Sequence, residues 1–334
     1  MNVLENELPP RIVVIGDLNG QITLFERMLV GLRLVTKTGE WRGGRSVLIQ
    51  LGDICNRGPG ARASMDLMFG LRAQAQEAGG DALWLLGNHE VLSALQHEAY
   101  VTADEYLEFA SEDEIDMFYA RRMQHVHRLL GAPYRREPIP PIGGRIRAWE
   151  EENAPGRSQY RLAMGPQGRY GKEIRKLPIA VKYGSLIFVH AGLSPMWAGV
   201  GLHGLEEHSQ KAWAQNPEFY ADLEPNGILR DPSGPLWHRD YCFDGGMDTR
   251  NQIRSALDCL GAEHMVIGHT RTDAVRPSQV GRPLARLGDR LIMADVGLGE
   301  PGDSGSALVI ERKKIEVWTP GGTKSRLTDV KKGR

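Results

Sequence analysis

The sequence predicts an α/β fold with a strand-rich second half. Short runs of Val, Ile and Leu stop abruptly at Gly, as buried strands do. Segments with helical spacing separate the first three of these runs, and beyond Leu177 such runs follow one another more closely. Strands separated by helices imply βαβ crossovers and parallel pairing.

The elements are expected in this order. RIVVIGD is a strand ending at Asp17, and ITLFERMLVGLRLV carries apolar residues every three or four positions, as a helix does. A Gly-rich turn, Gly39 to Gly44, leads into SVLIQLGD, which ends at Asp53. The loop NRGPGAR opens the helix MDLMFGLRAQAQ, and the next strand, ALWLLGNH, ends at Asn88 and His89. From Val91 to Leu130 the pattern is helical and acidic, and Thr102 with Glu105 and Ser111 with Glu114 fit the capping-box spacing. Residues 97–150 are expected as a helical insertion and loop. Pro133, Pro138, Pro140, Pro141 and Pro155 predict a long surface loop over 131–160. KLPIAVKYGSLIFVH reads as a hairpin around Tyr183-Gly184 that ends at His190. A helix near Gly204–Gln215, a Pro/Gly-rich loop reaching LWHRDY, and a helix over Gln252–Leu260 stopped by Gly261 precede HMVIGH, which ends at His269. LIMADVG, SALVIE and KIEVWT read as antiparallel strands. One domain is expected over 8–320, with a short basic tail over 326–334 read as disordered.

With 41% hydrophobic and 25% charged residues among 334, the chain has the composition of a soluble globular protein. A net charge of −1 argues against broad attraction to nucleic acid or anionic membrane. Cys55, Cys242 and Cys259 are odd in number and far apart, which fits no disulfide framework and suggests a reducing compartment. The N-terminal segment shows no signal-peptide pattern, and no apolar run approaches a membrane span. The expectation is a cytoplasmic protein with neither nucleic acid nor membrane as partner.

Five of the runs end in residues able to bind a metal: Asp17, Asp53, Asn88 with His89, His190 and His269. Ligands collect at the carboxyl ends of strands in open α/β sheets, so the five are read as one site. Two carboxylates, an amide and imidazoles make a ligand set for a pair of divalent cations. His125, His127, His203 and His208, in helical or inserted segments, are read as surface residues, and Cys55 as a packed thiol.

Gly16-Asp17-Leu18-Asn19-Gly20, Gly52-Asp53-Ile54-Cys55-Asn56-Arg57-Gly58, Gly87-Asn88-His89-Glu90, His190-Ala191-Gly192 and Gly268-His269-Thr270 occur in this order. Together they resemble the metallophosphoesterase superfamily, and within it the phosphoprotein phosphatases of the bacterial Shewanella-like branch. AYVTADEYLEF, PLWHRDY and MADVG are also similar to that branch. The resemblance implies a calcineurin-like sandwich of two mixed β-sheets flanked by helices, with the insertion near Tyr100–Leu130 as a lid or rim. It implies Asp17, residue 19 and Asp53 on a first divalent cation, and Asp53, Asn88, His190 and His269 on a second. The activity implied is hydrolysis of phosphate monoesters by a metal-bridging water that attacks phosphorus in line. His89 would protonate the leaving oxygen, and Arg57 and Arg239 would grip phosphate oxygens. Arg239 could instead pair with its neighbour Asp240.

Two positions depart from the pattern. Asn19 stands where the branch has His, leaving only oxygen donors on the first cation, which suits manganese above magnesium, iron or zinc. Asn56 stands where a carboxylate accepts a hydrogen bond from the general-acid histidine, so His89 is expected to be a weaker acid. On that reading Asn56→Asp should raise turnover. Substrates are expected to be phosphorylated proteins or small phosphorylated molecules. A symmetrical diadenosine polyphosphate hydrolase is the second enzymatic reading, suggested by NRGPG. A pseudophosphatase that binds phosphate without hydrolysing it is the third.

Overall fold

The computed structural model describes residues 5–131, 141–300 and 305–330. In chain order the strands are β1 (Glu5–Asn6), β2 (Arg11–Ile15), β3 (Val47–Gln50), β4 (Asp81–Trp84), β5 (Ala180–Tyr183), β6 (Leu186–Val189), β7 (His264–Ile267), β8 (Leu284–Arg286), β9 (Leu291–Met293), β10 (Ala307–Glu311), β11 (Lys314–Trp318) and β12 (Lys324–Asp329). The α-helices are α1 (Ile22–Gly31), α2 (Ala61–Glu77), α3 (Asn88–Ala94), α4 (Ala103–Leu107), α5 (Glu112–Leu130), α6 (Ile142–Asn153), α7 (Arg157–Met164), α8 (Arg169–Ile174), α9 (Pro195–Gly199), α10 (Gly201–Ala214), α11 (Asp240–Phe243), α12 (Met247–Cys259) and α13 (Thr272–Val275). None is long and apolar enough to cross a membrane.

Two six-stranded mixed sheets form the centre, ordered β12-β11-β10-β2-β3-β4 and β1-β5-β6-β7-β9-β8. Successive side chains of a strand point to opposite faces. Ile12, Val14, Ile49, Leu83, Phe188, Val266 and Ile292 therefore meet between the sheets. Val13, Ile15, Leu48, Ile187, Met265 and Ile267 turn outward and join the helical layers. Both faces are covered, which is why these strands read as unbroken apolar runs. The α/β expectation and the flanked two-sheet sandwich hold. The β5–β6 hairpin turns at Gly184, whose φ of +57° suits a residue without Cβ.

Three expectations need correcting. LIMADVG is not part of a purely antiparallel set: β9 pairs parallel with β7 and antiparallel with β8, because the chain leaves β7 through α13 and β8 and turns back to run beside β7 in the same direction. The long loop over 131–160 contains α6 and α7. Pro141 stands at the N-cap of α6, where a fixed φ suits a helix start, and Pro155 falls in the break before α7. Pro133, Pro138 and Pro140 lie outside the described residues. Lys324–Asp329, read partly as tail, is a strand on the edge of β11, and 331–334 lie outside the described residues.

The insertion is built as its caps imply. Thr102 accepts from the amide of Glu105 to start α4, and Ser111 with Glu114 forms a capping box on α5. Trp149 of α6 stacks on Phe118 and His125 of α5, so His125 is half-buried, unlike the exposed His127, His203 and His208. Glu108, just after α4, accepts from the amides of Gly60 and Ala63 at the start of α2. That contact ties the insertion to the core beside the loop that carries Asn56 and Arg57.

Candidate metal centre

β2, β3 and β4 run parallel in one sheet, and β6 and β7 run parallel in the other. Their carboxyl ends meet at one edge of the sandwich. The structure brings together all the strand-end residues singled out above. The Nε2 of His190 lies 2.9 Å from Asn88 Oδ1, 3.2 Å from His269 Nδ1 and 3.4 Å from Asp53 Oδ1. One ligand atom each from Asp53, His190 and His269 falls within 4.8 Å of the others. Asp17 Oδ1 accepts from the His269 amide at 2.8 Å.

The donor chemistry fits a cation. His190 Nδ1 sits 2.8 Å from the Leu51 carbonyl, so its hydrogen belongs there and Nε2 presents a bare lone pair. That lone pair faces two further electron-pair donors, Asn88 Oδ1 and Asp53 Oδ1, with the His269 ring beside them. Asn19 Oδ1 and His269 Nε2 are buried without a hydrogen-bond partner among the described residues. Burial first, then the charges of Asp295 and Asp53, pushes the Asp17 carboxyl well above its usual range. Burial does the same to Asp53, with Glu90 adding to it. Burial also pulls His190 down to about 3, and burial with His190 beside it holds His269 low. Neutral imidazoles and crowded carboxylates are the protonation states that a dication stabilises.

A cavity of about 300 Å³ opens over this cluster, lined among others by Asn19, Arg57, Arg239, His269, Arg271 and Asp295. Arg239 Nη1 donates to Thr270 Oγ1 at 3.2 Å, and no ion pair with Asp240 occurs among the described residues. The Arg57 guanidinium lies over the ring of Tyr100, 5.6 Å from its centroid. Tyr100 also meets His89 edge-on, so the start of the insertion forms one wall between these two residues. His89 Nδ1 lies 2.9 Å from Asn56 Oδ1, and its Nε2 lies 3.8 Å from Asp53 Oδ2. Burial, then Arg57, draws His89 down to about 3.

Three carboxyl groups of this region were not assigned a part in the site from the sequence. Asp295 is buried, follows β9 and lines the cavity, and burial pushes it up to about 6. LIMAD is itself an apolar run ended by a carboxylate, so the signal was present and hidden by the antiparallel reading. Glu90 is fully buried and accepts four backbone amides: Asp53 and Gly87 on Oε2, Ile54 and Cys55 on Oε1. It joins the loop after β3 to the start of α3. Glu105 lies behind Asn56. Five residues of the site carry positive φ without being glycine: Asn19 (46°), Asp53 (58°), Asn56 (69°), Arg57 (66°) and His269 (59°). Sharp left-handed turns directly after the strands swing these side chains to the sheet edge.

A profile of the calcineurin-like phosphoesterases matches residues 10–270. Shewanella-like protein phosphatase 2 of Arabidopsis thaliana is 26% identical over 323 residues, covering 92% of this chain and 76% of that protein. Shewanella-like protein phosphatase 1 of Plasmodium berghei is 22% identical over 271 residues; that match takes in 78% of this chain but only 61% of the relative's length. Among solved structures, the cold-active protein-tyrosine phosphatase of a psychrophilic Shewanella superposes with a TM-score of 0.67 at 20% identity, covering 98% of this chain and 83% of the other. A protein serine/threonine phosphatase from Saccharomyces cerevisiae gives 0.53 at 13% identity, covering 93% and 77%. At such identities the structures speak for the fold alone.

Proposed function

Because the chain belongs to the calcineurin-like phosphoesterases, we propose that it is a metal-dependent phosphatase hydrolysing phosphate monoesters, with phosphorylated protein side chains as the leading substrate class. The observation that carries this reading is the convergence of Asp53, Asn88, His190 and His269 lone pairs on one point beneath a cavity lined by Arg57, Arg239 and Arg271. Asp53, Asn88, His190 and His269 would hold one divalent cation. Asp17, Asn19 and Asp53 would hold the other, with Asp295 as a further oxygen donor close by. Oxygen donors favour manganese or magnesium there. When bound, the cations supply Lewis acidity and an activated water nucleophile.

The chain's own residues do the rest. Arg57 and Arg239 reach into the cavity, where a guanidinium fork matches phosphate oxygens. His89 stands beside Asp53, and among the described residues no other side chain bonds its Nε2, as suits a group that delivers a proton to a leaving oxygen. The Tyr100 ring stands against both Arg57 and His89 and sets the spacing between them. The named relatives are protein phosphatases, which supports phosphoprotein substrates over diadenosine polyphosphates. Phosphate binding without turnover is the second reading, favoured by the amides at Asn19 and Asn56.

The test is hydrolysis of an aryl phosphate, a phosphopeptide and diadenosine tetraphosphate with manganese, magnesium, iron or zinc in turn, with Asp53→Asn as control. Metal-dependent turnover of the first two, lost in Asp53→Asn, is expected. Tight phosphate binding with no turnover under any metal would establish the second reading.

A further inference from the structure

Behind the general-acid candidate lies a buried carboxyl group that the reading above leaves idle. Glu105, on α4, is fully buried. Its Oε1 accepts from both the backbone amide and the side-chain Nδ2 of Asn56, each at 3.3 Å. Its Oε2 has no hydrogen-bond partner among the described residues. Thr102, capping α4, accepts from the Glu105 amide and so sets where this side chain starts.

A side-chain amide has two donor hydrogens on one side and an acceptor oxygen on the other. Both hydrogens of Asn56 Nδ2 are used, one toward Ser93 Oγ at 2.9 Å and one toward Glu105 Oε1. Turning the amide over would set its oxygen against the Glu105 oxygen. A second donor, the Asn56 amide N–H, converges on that same Oε1, so an acceptor is required there. Asn56 Oδ1 is thereby aimed at His89 Nδ1, 2.9 Å away, which must then carry the hydrogen. Nε2 is left as the nitrogen directed at the site. The chain Glu105, Asn56, His89 settles a tautomer that a lone Asn56 would leave open.

We propose that Glu105 is a positioning residue for His89: acting through the Asn56 amide, it fixes one hydrogen on Nδ1, so that a proton taken up from solvent lands on Nε2 and passes from there to the leaving oxygen, returning the ring to its neutral Nδ1–H form. The assignment rests on the reading of His89 as the general acid. Burial pushes Glu105 up to about 8, so near neutral pH it acts as an oriented acceptor and not as a fixed charge. An uncharged carbonyl in the same place should therefore do the same work.

The test compares wild type, Glu105→Met and Glu105→Gln with added manganese on two substrates. p-Nitrophenyl phosphate has a leaving group that needs little proton assistance; phenyl phosphate has one that needs more. Glu105→Met is expected to lower kcat on phenyl phosphate at least about 10-fold further than on p-nitrophenyl phosphate, with KM within about two-fold. Glu105→Gln, which restores the accepting oxygen, should recover most of that loss. Nitrogen NMR of histidine-labelled protein should show His89 protonated on Nδ1 in wild type and Glu105→Gln, and mixed in Glu105→Met. Equal losses on both substrates, or no loss in Glu105→Met, would overturn the assignment. So would a hydrogen on Nε2 in the neutral wild type, a reading that needs no variant to fold. If wild type hydrolyses neither substrate with any divalent metal, the phosphatase reading fails, and the tautomers alone then decide the role of Glu105.

Discussion

Replacing Glu90 by Gln tests the joint that holds the two halves of the loop cluster together. The Glu90 carboxylate takes four backbone N–H groups at 2.7 to 3.2 Å, two on each oxygen, with no exposure to solvent. Glutamine keeps one accepting oxygen. In either orientation its NH₂ faces two N–H donors whose hydrogen-bond acceptor, among the described residues, is Glu90. A hydrogen bond to a charged group contributes about 1.5–3 kcal/mol, and an orphaned buried donor costs about 1–3 kcal/mol. Losing two bonds therefore costs about 3–6 kcal/mol. Relief of the buried charge offsets part of this, as burial already raises the Glu90 pKa. A net loss of about 2–4 kcal/mol is expected. Urea unfolding at neutral pH measures it, and amide hydrogen exchange at Asp53, Ile54 and Cys55 localises it. A loss below about 1 kcal/mol, or exchange that is unchanged at those three amides, would refute the reasoning.

Other perturbations separate the remaining parts of the site. Glu105 is raised from 4.5 to about 8, so the folded state binds more protons than the unfolded one across that window. Its favourable contribution is complete below pH 4.5 and is lost as pH rises through about 8. Glu105→Gln should remove that slope, gaining on wild type by about 3–5 kcal/mol between pH 5 and pH 8, read as the difference in unfolding free energy. Manganese should raise the melting temperature, equivalent to about 2.7 kcal/mol at a hundredfold excess over Kd, and Asp53→Asn should abolish most of the rise. Asn19→His, which adds an imidazole beside Asp17, should tighten the weaker cation site about 10-fold and shift its preference toward zinc, measured by calorimetric titration of demetallated protein.

Much of the site was legible because its residues end apolar runs. The period and length of RIVVIGD or HMVIGH mark a buried strand, and whatever polar residue stops such a strand must emerge at its edge. Asp295 obeyed the same rule, yet parallel pairing of β9 with β7 depends on a crossover that local pattern does not encode. Glu90 and Glu105 were illegible for another reason. Each acts on backbone or amide groups of a distant loop, 35 to 49 residues away in sequence, and no periodicity reports such a contact. Their discovery also alters an expectation. Asn56→Asp was to restore a missing charge, but it would place a second carboxyl 3.3 Å from Glu105, and the two would share a proton. Its gain in turnover should appear only together with Glu105→Gln.

The left-handed backbone at Asn19, Asp53, Asn56, Arg57 and His269 sets folding and chemistry against each other at the level of selection. A side chain in that conformation costs about 1 kcal/mol that glycine does not. A library of this chain sorted only for resistance to heat should thus collect glycine at positions 19, 53, 57 and 269, though not at 56, whose side chain is bonded to Ser93, Glu105 and His89, erasing ligands and a phosphate grip while the sandwich survives. Sorted for turnover, the same library should refuse glycine at those positions. Which residues persist under each regime would map what this protein is kept for, without a substrate ever being named.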